Sequence, residues 1–262
     1  MRWISLIATL LAPTVAVSSD AVPSADDLAL MAAADVVIVG ETHDNPAHHT
    51  LQASIVATLD PAALVIEMLT PDEVVKLEQD KPGYHDTWQD SGWPDYAMYL
   101  PVFTASDAPI FGAAVPREVA RASYTEGVAA HFDGDVALFG LDKPLPKDQH
   151  DLRLDLQFTA HCEAMPREAL GGMIEVQRLR DATLAKATLD ALDAQGRPVV
   201  IITGNGHARA DWGVPAFLKL VRPDLDVITI GQGEDGHPPG GRFDLIYDAP
   251  SIDRPDPCDT FK

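Results

Sequence analysis

Short, wholly apolar runs alternate along the chain with longer stretches in which apolar residues recur at helical spacing. That alternation predicts an α/β fold, a mostly parallel sheet flanked by helices. Strands are expected over residues 35–39, 63–67, 110–114, 197–202, 226–230 and 243–247, and helices over 46–59, 116–130 and 215–221. A further helix opens at Thr70-Pro71-Asp72-Glu73, with Thr70 as N-cap and Pro71 at the first helical position. Residues 150–195 read as long helix, broken or bent at Pro166 and at Gly171-Gly172. The rhythm fails over 81–106, where Tyr84, Trp88, Trp93, Tyr96, Tyr99 and Phe103 crowd among Gly and Pro, predicting a helical, aromatic-rich insertion.

The N-terminus carries a different pattern. Met1-Arg2 is a short basic start, residues 4–17 are apolar but interrupted by Pro13, and Ala16-Val17-Ser18 is a small-residue run suited to cleavage. Residues 1–18 are therefore expected to be a cleavable signal peptide, and residues 19–262 a single domain in the periplasm or another extracytoplasmic space. With no cysteine near the cleavage region, a lipid anchor is not expected. A formal charge of −21 disfavours nucleic acid and anionic lipid as partners. In an oxidising compartment the only two cysteines, Cys162 and Cys258, are expected to pair. The loop so closed is long enough for about 4–5 kcal/mol in the entropic model.

Ligands of parallel α/β sheets bind beyond the carboxyl ends of the strands. Three predicted ends carry ionisable groups: Gly40-Glu41-Thr42-His43, Glu67, and Gly204-Asn205-Gly206-His207-Ala208-Arg209. Two G-x-x-H pairs mean little alone among 18 glycines and 9 histidines, but both directly follow a strand and precede a helix-like segment. The glycines are expected to give a tight turn or positive φ there. Asn45 suits a helix N-cap as well as a ligand contact, one of His48 and His49 is expected to be solvated, and Arg209 fits a surface cation as well as an anion site. Glu41, His43, Glu67 and His207 could hold a divalent metal, work as general acid and base, or line a pocket for an anionic cofactor. No G-x-S-x-G or H-E-x-x-H is present, which argues against ordinary serine hydrolases and zincins.

At these residues the chain resembles the ChaN family of haem-binding uptake proteins, in the wider Tiki and erythromycin-esterase-like superfamily. The resemblance rests on residues 39–49 (VGETHDNPAHH), Glu67, residues 92–101 (GWPDYAMYLP), His161-Cys162, residues 177–182 (QRLRDA), and residues 204–209 (GNGHAR) continuing to Gly213-Val214-Pro215. It implies an extracytoplasmic haem-binding protein of haem or iron uptake, with a homodimer and a haem transport system as partners to consider. Haem needs an apolar slot, an axial ligand and propionate donors. The aromatic segment is expected to give the slot and Tyr96 or Tyr99 the iron ligand, with His43, His48, His207 and Arg209 assisting. The alternative implied by the superfamily is a hydrolase acting through Glu41, His43, Glu67 and His207, with or without metal.

Overall fold

The computed structural model describes residues 17–18 and 22–261. Among the described residues seven strands form one all-parallel sheet: β1 (Val17–Ser18), β2 (Val36–Glu41), β3 (Ala63–Ile66), β4 (Ile110–Gly112), β5 (Val199–Gly204), β6 (Val227–Glu234) and β7 (Leu245–Ala249), in the order β1-β7-β6-β2-β5-β3-β4. The edge strand β1 pairs Val17 and Ser18 with Ile246 and Tyr247, inside the segment read as a leader; most of that segment lies outside the described residues. Among the described residues no helix is long and apolar enough to cross a membrane.

The α-helices among the described residues are α1 (Ala25–Ala33), α2 (Pro46–Leu59), α3 (Pro71–Gln79), α4 (His85–Trp88), α5 (Tyr96–Phe103), α6 (Arg117–Glu126), α7 (Lys147–Ala160), α8 (Gly171–Gln195), α9 (Asn205–Ala208) and α10 (Val214–Val221). Helix α3 starts as its sequence dictates: Thr70 and Glu73 form a capping box and Pro71 occupies the first turn. Helix α2 is capped by Asn45, whose side chain accepts from the Ala47 amide. The Asn45 amide also donates to Glu234 and to the Pro250 carbonyl, so both its ends are spent on structure.

Because side chains alternate along a strand, each central strand serves two cores. Val37, Val39, Leu64, Ile66, Val200 and Ile202 pack on one face with Leu51, Ile55 and the aromatic insertion. Val36, Ile38, Ala63, Val65, Val199 and Ile201 pack on the other with Leu179, Ala182, Ala185 and Leu218. The insertion is a second core layer: Trp88 lies 5.0 Å from Tyr99 and 6.0 Å from Phe103 between ring centroids, and all three are buried. Cys162 and Cys258 form the expected disulfide, with Cα atoms 5.5 Å apart.

The sheet order reverses at β2. From it the chain proceeds to β3 and β4 on one side, while β6 and β7 lie on the other, with β5 inserted between β2 and β3. Such a switch point opens a crevice at the carboxyl ends of the flanking strands. Glu41 ends β2, Glu67 follows β3, and Gly204 ends β5.

Candidate functional site

The four residues expected at one sheet edge lie in one connected network. Glu41 is buried, and its Oε1 accepts from His43 Nδ1 at 2.6 Å and from the Tyr99 hydroxyl at 2.9 Å. Its Oε2 accepts from Gln52 Nε2 at 2.6 Å and lies 3.4 Å from His49 Nδ1. A carboxylate in so apolar a place is tolerable because these donors replace its water. His43 is thereby held by Nδ1, while its Nε2 makes no hydrogen bond among the described residues. Its ring meets Trp93 edge-on at 4.8 Å.

Across the crevice Glu67 Oε2 accepts from Thr203 Oγ1 at 2.6 Å and from the Gly204 amide at 2.8 Å, while its Oε1 lies 3.5 Å from His207 Nε2. His207 gives its Nδ1 to Asp181 of α8 at 2.6 Å. The result is two carboxylate–imidazole pairs, Glu41–His43 and Asp181–His207, facing a shared carboxylate. Gly204 makes this convergence possible: a Cβ there would sit 2.9 Å from His43 Nε2 and 3.8 Å from Glu67 Oε2. Gly40 is equally constrained, since a Cβ would come within 2.5 Å of Asn205 Oδ1. The expectation of positive φ is corrected here: neither glycine is among the positive-φ positions, and both are needed for close approach.

Electrostatics follow from this packing. Burial pushes the Glu67 carboxyl up, but His207 and His43, with the Thr203 and Gly204 donors, outweigh it and hold the pKa at about 2. Burial pulls His43 down, yet the hydrogen bond it donates to Glu41 and the charges of Glu67 and Glu41 leave its pKa raised. His207 is raised likewise, against burial, by Glu67 and Asp181. Asp181 itself is raised by burial.

Several expected roles are corrected. Tyr96 and Tyr99 are core residues: the Tyr96 hydroxyl donates to the Lys81 carbonyl and the Tyr99 hydroxyl to Glu41, and burial drives both pKa values well above the ordinary phenol value. A phenolate ligand from either would have to leave that core. His48 is spent on structure: fully buried, it accepts from the Thr42 amide at 2.9 Å and lies 3.1 Å from the Gly233 carbonyl, so both ring nitrogens clamp backbone. His49 is buried too, with Nε2 2.9 Å from the His43 carbonyl, so neither helix histidine is solvated. Arg209 is buried, neutralised by two 2.6 Å bonds to Asp211, and stacked 3.5 Å over Trp212. Glu41, His43, Glu67 and His207 do not make a metal-ligand set. Among the described residues no three His, Cys, Asp or Glu side chains converge on an ion position, and both oxygens of Glu41 are committed.

Gln52 and Thr203 carry no expectation from the sequence, and Asp181 enters there only within the run 177–182, with no role of its own. Asp181 left a signal there: an acid flanked by Leu179, Ala182 and Ala185 sits on the stripe of α8 that faces the sheet. Gln52 and Thr203 left none.

A cavity of about 440 Å³ opens over Glu67 and is walled by Met68, Trp93, the segment 113–117 and Arg180. That volume is in the range of small-molecule and cofactor sites. A family model described as haem-binding uptake, Tiki superfamily, ChaN, matches residues 28–218. Among solved structures, one titled "Cofacial heme binding to ChaN of Campylobacter jejuni" superposes with a TM-score of 0.62 at 16% identity, covering 84% of this chain and 89% of that one, a likeness of fold. The type III effector HopBA1 aligns with a TM-score of 0.43 at 11% identity over 86% of this chain and 92% of that one. No curated protein sequence matches.

Proposed function

The chain belongs to the ChaN family of haem-binding uptake proteins in the Tiki superfamily, and from that premise we propose that it binds haem outside the cytoplasm as a carrier in haem or iron uptake. The observation that carries the reading to particular residues is His43. Its Nδ1 is fixed by a buried carboxylate, its Nε2 has no hydrogen-bond partner among the described residues, and its ring meets the indole of Trp93, which lines a cofactor-sized cavity. An imidazole oriented by a carboxylate is the usual form of a metal-binding histidine. Bound haem would supply an iron with a vacant axial position and two negatively charged propionates. Glu41 would set the ring direction and Trp93 offer an aromatic face. The Cys162–Cys258 disulfide and the leader-like N-terminus support an oxidising, extracytoplasmic setting.

The test is a haemin titration followed by Soret absorption. The wild type, Tyr96→Phe and Tyr99→Phe should all develop the haem-bound band, while His43→Ala should weaken haemin binding by 100-fold or more, about 2.7 kcal/mol. Loss of the band in either tyrosine variant with His43→Ala intact would return the ligand to the aromatic segment.

The Asp181–His207 pair beside Glu67 supports hydrolysis as a second reading, because a carboxylate-oriented imidazole next to another carboxylate is general acid–base equipment. Turnover of p-nitrophenyl esters, lost in His207→Ala, is its assay.

A further inference from the structure

A second, smaller cavity of about 110 Å³ opens where α7 meets α8 and the segment after β5, and it shares no lining residue with the cavity over Glu67. Its charged lining runs against the balance of the chain. The chain carries a formal charge of −21, yet this pocket sets Arg153, Arg209 and the imidazole of His207 against one carboxylate, Asp181. That carboxylate is committed to His207 at 2.6 Å, and Arg209 is committed to Asp211 through two bonds of 2.6 Å.

Arg153 has no such partner. It is 9% exposed and forms no ion pair among the described residues; its Nε is buried without a hydrogen-bond partner, and its Nη2 reaches Gln149 only at 3.5 Å. Burial holds its pKa below that of an ordinary guanidinium, because the distant charges of Asp181 and Asp211 are opposed by Arg178 and Arg209. The other two buried arginines are paired, Arg178 with Glu175 and Arg209 with Asp211. Arg153 instead lies over the Trp212 ring at 5.2 Å, a ring that already carries Arg209 at 3.5 Å. A cation–π contact does not replace the hydrogen bonds that a guanidinium gives up with its water. Gln177 lines the same pocket, and its side-chain oxygen is likewise buried and unpartnered. Turned about its last torsion, that amide offers its NH2 to an acceptor.

Size and lining narrow the ligand. One water's share of liquid volume is about 30 Å³, so the pocket has room for about three or four waters or one molecule of acetate size. Arginine's planar fork matches a carboxylate in a bidentate pair. Leu156, Ile174 and the Trp212 ring suit an alkyl group beside it, whereas a sulfate or phosphate would turn oxygens against these apolar walls. We propose that this pocket is a binding site for a small monocarboxylate, received by Arg153 with Gln177 assisting. The site is separate from the cavity over Glu67 and independent of the haem reading.

The experiment titrates the full chain, in chloride-free buffer of low ionic strength, with acetate, with acetamide as its neutral isostere and with sulfate. Binding is read by calorimetry and by the NMR signal of the Trp212 indole N–H, assigned from Trp212→Phe. Acetate should saturate the wild type with a Kd of about 1–10 mM and shift that indole signal, and acetamide and sulfate should bind at least about 10-fold more weakly. Arg153→Met keeps an unbranched stem and deletes the charged head. It should weaken acetate about 10-fold or more without lowering Tm, since it removes a buried charge that has no partner. Arg153→Lys should retain part of the affinity, and Arg167→Gln, at an exposed arginine paired with Asp155, all of it. No saturation by about 100 mM acetate in the wild type, binding that leaves the Trp212 signal unmoved, or full affinity in Arg153→Met overturns the site. Acetamide or sulfate binding as tightly as acetate overturns the monocarboxylate assignment. Should Arg153→Met fail to fold, Arg153→Lys and the wild-type indole shift decide the matter.

Discussion

His43 and His207 each stand three residues beyond a glycine at a strand end, each has its Nδ1 2.6 Å from a carboxylate, and each interacts with Glu67. Their surroundings separate them. The carboxylate of His43 is Glu41, two residues back at the end of β2, and the imidazole side chain keeps 31% of its exposure because Trp93 covers only one side. The carboxylate of His207 comes from α8, a different layer of the fold, and the side chain is left with 10%. Their loops are braced differently as well. Gly213 packs so closely on the His207 carbonyl that a Cβ would come within 2.1 Å of it, whereas the residue after His43, Asp44, is held by an ion pair to Arg254. A short motif at a strand end locates a side chain; the element that covers it decides whether the side chain meets ligand or core.

If that contrast is right, removing the two orienting carboxylates should do different things. Asp181→Ala leaves the buried His207 ring without the carboxylate that holds its Nδ1, and breaking a buried pair from one side typically costs about 3–5 kcal/mol. A urea denaturation curve should show a loss of that size, with haemin affinity nearly unchanged once the protein is folded. Glu41→Gln, nearly isosteric, should instead act on the ligand: metal-binding histidines that lose their orienting partner commonly lose about 10–100-fold in affinity. A stability loss from Glu41→Gln as large as that from Asp181→Ala, or a haemin defect confined to Asp181→Ala, would erase the distinction between the two histidines.

The aromatic insertion shows why part of this was legible in the sequence and part was not. Strands β2, β3 and β5 are unbroken β-branched or apolar runs, and the caps of α2 and α3 are written locally in Asn45-Pro46 and Thr70-Pro71, so sheet, helices and the three chemistry-bearing strand ends could be read from neighbouring residues. Tyr96 and Tyr99 also read correctly as two residues on one side of a helix. What that side faces is a long-range fact: it packs on α2 and on Glu41, 58 positions before Tyr99, and no local pattern distinguishes a core tyrosine from a ligand tyrosine. The same limit hid the roles of two arginines. Arg209 lies in the motif but is neutralised by Asp211, two residues on, while Arg180 lies on α8, 29 positions earlier in the chain, and lines the cavity.

The smallest effect tests the bracing of the two loops. Arg254, in the segment between β7 and the disulfide-bonded Cys258, forms a double fork: Nε and Nη2 bond Asp44 at 2.7 Å, and Nη1 and Nη2 bond Glu234 at 2.7 Å. Both carboxyls are held below their ordinary pKa, in each case chiefly by the hydrogen bond from Arg254. A depressed carboxyl pKa stabilises the folded state at pH values above the unfolded pKa, near 4 for these groups, and that contribution is lost as pH falls through the folded value. The fork is therefore in force at neutral pH and fails in acid, loosening the segment that carries His43, while the loop of His207 is braced by close backbone packing at Gly213 and by Glu67, whose carboxyl is held down to about 2. With Asp44 42% and Arg254 29% exposed, solvent and salt screen the attraction, and about 1 kcal/mol is its ceiling. Arg254→Gln should accordingly lower stability slightly at pH 7 and flatten its decline between about pH 5 and pH 3. Hydrogen exchange at the amides of residues 42–45 should quicken in acid in the wild type and at both pH values in Arg254→Gln, while the amides of residues 205–208 stay protected throughout. Acid-induced exchange that appears equally at both loops, or that persists unchanged in slope without Arg254, would mean that the fork does not brace His43.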